Sequence, residues 1–249
     1  MSKKSLVLFL VTLLLCVCAM GSFAYADELK AAFITPQALG DGSVTDLAYS
    51  GFTRAADEFG IKTQVVEVQV GEYEETMRMM ASEGYGLLVC LQPDLTDAVR
   101  TVAPEYPDTL FFSMLGEIDD IPNVLGSCNR EQEGSYLAGV TAALMSKTGR
   151  IGAVIGQDMA QNNRYAAGYE DGAKTVRSDI QVDIVYAGTF EDPAKGKELA
   201  LTLYNSGCDV VYQVAAKTGL GVFGAAKELG EGHYVVGCDI DQSPMIPGQ

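Results

Sequence analysis

The chain has 249 residues, 17 of them Lys or Arg against 33 Asp or Glu, and its formal net charge is −16. An acidic surface of this kind repels nucleic acid and anionic membranes, and 48% apolar residues match a folded domain, which excludes a disordered chain. One histidine, His233, and no C-x-x-C pair leave too few groups for a zinc site or for a Cys/His or Ser/His nucleophile, so neither metal nor hydrolase chemistry is expected.

In chain order, Lys3 and Lys4 precede an apolar run from Leu6 to Val17, and Ala24-Tyr25-Ala26 stands before Asp27. This is the layout of a secretory signal peptide, so residues 1–26 are expected to be cleaved and the mature chain to reach a periplasm as a soluble monomer. A lipid anchor at Cys16 or Cys18 is disfavoured because Leu15 and Val17, not small residues, precede them. Nine apolar runs of strand length follow: Lys30 to Thr35, Lys62 to Val68, Gly86 to Leu91, Leu110 to Met114, Val124 to Ser127, Arg150 to Ile155, Gln181 to Tyr186, Asp209 to Val214 and Tyr234 to Cys238. Cys90 and Cys238 fall inside these runs and read as small packed hydrophobes. Between the runs lie helical patterns, one with Leu47, Gly51, Phe52, Ala55 and Phe59 on a face, another with Tyr136, Leu137, Val140, Ala143 and Leu144.

Such alternation predicts an α/β fold with mostly parallel sheets. Its one break is the turn-rich GEIDDIPN, Gly116 to Asn123, which joins two strands without a helix. It marks the approach to a crossing between two doubly wound lobes, 27–126 and 127–249, which face each other across a cleft. Ligands of parallel sheets collect beyond the carboxyl ends of the strands, so a small-molecule ligand is expected there.

The stretch TGLGVFG spaces Gly219, Gly221 and Gly224 as G-x-G-x-x-G, and Asp239 follows 20 residues after Gly219. That is the pattern of a dinucleotide fingerprint, and a nucleotide-dependent enzyme is the alternative reading it supports. Ala215 to Thr218 intervene between strand and first glycine, however, a longer loop than a pyrophosphate turn uses. Gly219 and Gly221 then bring a helix N-terminus close to the cleft, or all three serve helix packing; no cofactor is expected.

Five motifs occur in order: LGDGSVTDLAYSGF (Leu39 to Phe52), QEGSYLAG (Gln132 to Gly139), FEDPAKGKELALTLYNSG (Phe190 to Gly207), KTGLGVFGAAKELG (Lys217 to Gly230) and VVGCDIDQS (Val235 to Ser243). Over nearly the whole mature chain the sequence resembles the basic membrane protein family of ABC-transporter solute-binding proteins, of the purine nucleoside receptor type. The resemblance implies a type I periplasmic-binding-protein fold, capture of a nucleoside-like ligand by hinge closure, an ABC permease as partner and no catalysis; sensing for a membrane receptor stays open beside transport. It implies polar ligand contacts at Gly40 and Asp41, aromatic faces at Tyr49 and Phe190, a helix N-terminus at Ala216, Lys217 and Gly219, and a ribose contact at Asp239.

Each position has a plainer reading: turn chemistry for Asp41, core packing for Phe190, a solvated lysine at Lys217, an ion pair for Asp239. The chain departs from the family pattern at Val44, Thr45 and Lys217, and at Gln161, Asn162 and Asn163, which leaves a more polar or anionic ligand open. Relatives of this kind continue past the position of Gln249, and the resemblance implies a C-terminal return segment, with a cleft lysine, that this sequence does not contain.

Overall fold

The computed structural model describes residues 28–248; the expected signal peptide, with Cys16, Cys18 and the Ala26–Asp27 junction, lies outside the described residues. The elements run β1 (Lys30–Thr35), α1 (Val44–Phe59), β2 (Lys62–Glu67), α2 (Tyr73–Ser82), β3 (Leu87–Leu91), α3 (Thr96–Val102), β4 (Leu110–Met114), β5 (Val124–Ser127), α4 (Glu131–Met145), β6 (Arg150–Ile155), α5 (Ala160–Val176), β7 (Gln181–Tyr186), α6 (Pro193–Asn205), β8 (Val210–Val214), α7 (Ala216–Leu229) and β9 (Tyr234–Val236). They form two sheets, ordered β2-β1-β3-β4-β5 and β7-β6-β8-β9, and every pairing is parallel. Among the described residues no helix is long and apolar enough to cross a membrane.

The sheet centres are the sequence's unbroken apolar runs. All five residues of β8 are buried, as are the last five of β1, because strands covered on both faces lose the polar alternation of a half-exposed sheet. The last strand is shorter than expected: it ends at Val236, and the Cys238 N–H donates to Gln242 Oε1 at 2.9 Å instead of continuing a ladder.

Both helical faces read from the sequence are corrected. On α1, Phe52 packs on the sheet with Ala48 and Tyr49, while Phe59 is 71% exposed and Leu47 also faces water. The helix is apolar on more than one side, and its setting follows from its N-terminus, where Asp41 accepts hydrogen bonds from the N–H groups of Ser43, Thr45 and Asp46. On α4 the buried ridge is Ser135, Gly139, Ala142 and Ala143, and Leu144 is 67% exposed.

Small residues win on α4 because α4 and α5 nearly touch. A Cβ at Gly139 would lie 2.0 Å from the Tyr169 carbonyl oxygen, and one at Gly172 would lie 2.0 Å from that of Tyr136. Both contacts are with backbone, so only a helix shift could relieve them. Gly172→Ala is expected to lower the unfolding free energy by ~1–3 kcal/mol in urea titrations, despite the better helix propensity of Ala. Gly139→Ala should cost a similar amount, and the double variant less than the sum, since one displacement relieves both clashes. Strict additivity, or a change below ~0.5 kcal/mol, would show that the helices are not locked at this spacing.

Candidate ligand-binding cleft

Parallel strands send their connecting loops out at the carboxyl ends, and those loops build the site. Four non-glycine residues among the described ones have a left-handed backbone: Gln92 (φ 90°), Leu115 (φ 64°), Ala216 (φ 46°) and Asp239 (φ 66°). Each lies within three residues of the end of a strand, after β3, β4, β8 and β9 respectively. All four line one cavity between the two sheets. Side chains rarely adopt such a backbone, and the cost of ~1–3 kcal/mol per residue persists where the surroundings hold the chain in place.

Asp239 connects the two sides. Its Oδ2 accepts a 2.5 Å hydrogen bond from the Ser43 hydroxyl, on the loop that leads into α1, and its Oδ1 lies 3.4 Å from the Cys238 thiol. Water reaches the carboxylate from the cleft, yet protein surrounds it on most sides. That desolvation raises its pKa above the usual carboxylate range, the Ser43 and Cys238 hydrogen bonds work against the rise, and the nearby charge of Asp41 adds to it. A second bridge is made by Gln242, whose Nε2 donates to the Gly42 carbonyl at 2.8 Å. Its Oε1 accepts from Gln213 Nε2 at 2.7 Å and from the Cys238 N–H.

Of the residues expected at the ligand, Phe190, Ala216 and Asp239 line the cavity. Phe190 lies against Gly156, where an added Cβ would come within 2.0 Å of the ring, and its carbonyl accepts from the Thr218 N–H. Five others are placed elsewhere. Asp41 is buried and its carboxylate is committed to the three N–H groups at the start of α1. Gly40 donates its N–H to Asp46 Oδ1 in the same turn. Tyr49 packs with its ring 5.8 Å from Phe33. Lys217 extends to Glu191 at 3.6 Å, on the surface. Gly219 covers Gln213, whose Oε1 a Cβ would meet at 1.8 Å.

The glycine spacing is a packing device. No four-residue loop separates β8 from the glycines: α7 starts at Ala216, so Gly219, Gly221 and Gly224 lie inside the helix. Gly221 lets α7 approach the Pro193 carbonyl of α6, 2.0 Å from where a Cβ would sit.

The sequence reading missed Gln37, Gln92 and Tyr165, which line the cavity, and only noted Gln161 and Asn162, which also do. Asn163 does not, being held by Asp158 and Tyr186. A polar residue followed by a turn-forming proline, Gln92-Pro93, directly after an apolar strand was the available signal for the first-sheet wall. The charged residues of the lining are Asp94 and Asp239; no Lys, Arg or His among the described residues joins them.

Residues 28–249 match the family model described as ABC transporter substrate-binding protein PnrA-like, and the chain belongs to this family. It is 37% identical over 227 residues to the ABC transporter nucleoside-binding protein BmpA of Lactococcus lactis, covering 86% of this chain and 65% of that one. It is 31% identical over 250 residues to Basic membrane protein A of Borreliella burgdorferi, covering 98% and 74%. A solute-binding protein of an ABC transporter system from Aeropyrum pernix superposes with a TM-score of 0.82 at 29% identity, over 86% of this chain and 63% of that one. The chain thus spans about two thirds of the length of the Lactococcus and Aeropyrum proteins. The fold is the type I periplasmic-binding-protein fold that the sequence motifs implied.

A raised Asp239 pKa fixes the sign of a pH effect. The folded protein holds this proton to higher pH than the unfolded chain does, so the contribution to stability is greatest at acid pH and is lost as pH rises through the raised folded value. Asp239→Asn, which suits the left-handed backbone, is therefore expected to melt at a higher temperature than the wild type at pH 7–8 without ligand. The gap should close as pH falls toward ~4, the ordinary carboxylate range. A gap that stays constant from pH 4 to 8, or a less stable variant at pH 8, would refute the assignment.

Proposed function

We propose that the protein captures a neutral, nucleoside-like solute in this cleft, closes over it, and presents it to the permease of an ABC importer outside the cytoplasm. The observation that carries the reading is the set of four strained strand ends converging on one cavity between two parallel sheets. Strain stored around one opening suits a site that binds a solute and closes over it. Membership of the substrate-binding family, and a relative named for nucleoside binding, support the same reading. Residues 27–126 and 127–249 act as the two closing lobes. Export follows cleavage after Ala26 into the periplasm, where the protein works as a monomer.

Within the cleft, Phe190 offers a flat face for a base and Asp239 an acceptor for sugar hydroxyls. The N-terminus of α7, at Ala216, adds a backbone N–H and no side-chain cap, while the Ala215 N–H donates to Gln213 Oε1. A lining with two carboxylates and no cation favours an uncharged ligand, and Lys217 is committed to Glu191 outside it. The polar wall supplied by Gln161 and Asn162 therefore serves a neutral solute.

Calorimetry on the full chain tests this. Adenosine, inosine or guanosine should bind, and the matching 5′-monophosphate at least ~10-fold more weakly, about 1.4 kcal/mol. Lys217→Gly should leave that ratio unchanged. Asp239→Ala should weaken a ribonucleoside by ~2–4 kcal/mol and its 2′-deoxy analogue by less, as expected for hydrogen bonds to a charged acceptor. Monophosphates bound as tightly as nucleosides, or equal losses for ribose and deoxyribose, would contradict the neutral-ligand reading and the sugar contact respectively.

A further inference from the structure

Gln37 and Gln92 stand on the first-sheet wall of the cavity, 6% and 7% exposed. Gln92 Nε2 donates to Gln37 Oε1 at 3.2 Å, and the Thr45 hydroxyl lies 3.4 Å from the same oxygen. Among the described residues no hydrogen bond reaches Gln37 Nε2 or Gln92 Oε1. Neither atom is among the fully buried unpaired ones, which among the described residues are Ser113 Oγ and Tyr169 OH, so each keeps accessible surface and is free to pair with a ligand group. Gln92 is also held at φ 90°, ψ 145°, a region that glycine alone occupies readily. The side chain is thus kept at the cavity against backbone strain and with hydrogen-bonding capacity to spare. Packing alone does not explain the strain, because glycine at this position would relieve it.

We propose that Gln37 and Gln92 form a paired-amide site that reads the hydrogen-bonding edge of the base, requiring one donor and one acceptor side by side; this rests on the nucleoside reading above. The pair spends one donor and one acceptor on itself and turns one of each toward the ligand. It is also reversible. If both amides rotate by half a turn, Gln37 donates to Gln92 and the Thr45 hydroxyl becomes the acceptor, so the exposed donor and acceptor exchange places. One site therefore accepts a lactam edge, with N–H beside C=O, and an amidine edge, with ring nitrogen beside NH₂. It discriminates against an edge that lacks one of the two, because an amide group then stays buried and unpaired. Asp239, on the opposite sheet, takes no part in this choice.

The test is calorimetric titration of the full chain with inosine (lactam edge), adenosine (amidine edge) and purine riboside, which has the ring nitrogen but no exocyclic group. Wild type should bind inosine and adenosine within ~3-fold of each other and both at least ~10-fold more tightly than purine riboside, the ratio expected for one neutral hydrogen bond plus an unpaired buried group. In Gln92→Gly, which relieves the backbone and so folds, the three should fall within ~2-fold. Gln37→Leu should flatten the series in the same way, while the preference for ribose over 2′-deoxyribose persists in both variants. If nucleosides bind but the wild-type preference for the two substituted bases survives in Gln92→Gly and Gln37→Leu, the paired-amide site is wrong and the nucleoside function stands. If wild type binds none of the three, the nucleoside reading fails and this inference falls with it.

Discussion

A single carboxylate meets the two sheets' loops at the centre of the cleft, and the side-chain bridge between Ser43 and Asp239 depends on it. Asp239 accepts from Ser43 across the gap, while Asp41, a few residues away on the Ser43 loop, opposes it as a like charge. The bond is charge-assisted and contributes ~1.5–3 kcal/mol, but desolvation and repulsion offset much of that. This bridge is therefore a weak tie between the two sides. On the function proposed above, a solute that donates hydroxyl hydrogens to Asp239 would add to it, so that binding and closure favour each other.

The geometry that allows this contact is prepared one step away. Ser43 is placed by the turn before α1, where Asp41 gathers the N–H groups of the helix start and Asp46 takes those of Gly40 and Gly42. Asp239 is placed by Gln242, which takes the Cys238 N–H out of the sheet and ties the same segment to Gly42. Two exchanges of hydrogen bonds, one local to the first half and one that itself crosses to Gly42, thus hold a pair of groups almost 200 residues apart. Buried β1 and β8 anchor both ends, which lets the strained strand ends persist.

Strands were legible because a parallel strand buried on both faces is an apolar run with a polar boundary, and nothing else in this sequence looks like one. Helical faces were not. On α4, Leu137 and Leu144 carry the strongest hydrophobic signal, but the distance to α5 admits only Ser, Gly and Ala, and closeness of approach outweighed side-chain apolarity. The glycine series in α7 misled for the same reason: spacing that admits a pyrophosphate also admits a neighbouring helix. At the cleft, strand-end logic found Phe190 and Asp239, and the family resemblance pointed to Ala216. It missed Gln37 and Gln92 because a buried amide pair is made by two loops 55 residues apart, and a glutamine at φ 90° leaves no mark in the sequence.

The distribution of charge completes the account of selectivity. The chain is strongly acidic overall, and many of its cations are held in ion pairs over the surface, as Lys197 is by Glu228 and Arg78 by Glu105. A cleft lined by Asp94 and Asp239 sits within that negative field, so a phosphorylated solute meets repulsion on approach and no compensating cation among the described residues of the lining. A neutral solute meets neither penalty, and on the function proposed above directional groups would hold it instead: an aromatic face, a carboxylate for hydroxyls, and amides that count donors and acceptors. Selectivity of this kind comes from leaving buried groups unpaired with the wrong solute, which separates close analogues more sharply than added attraction for the right one.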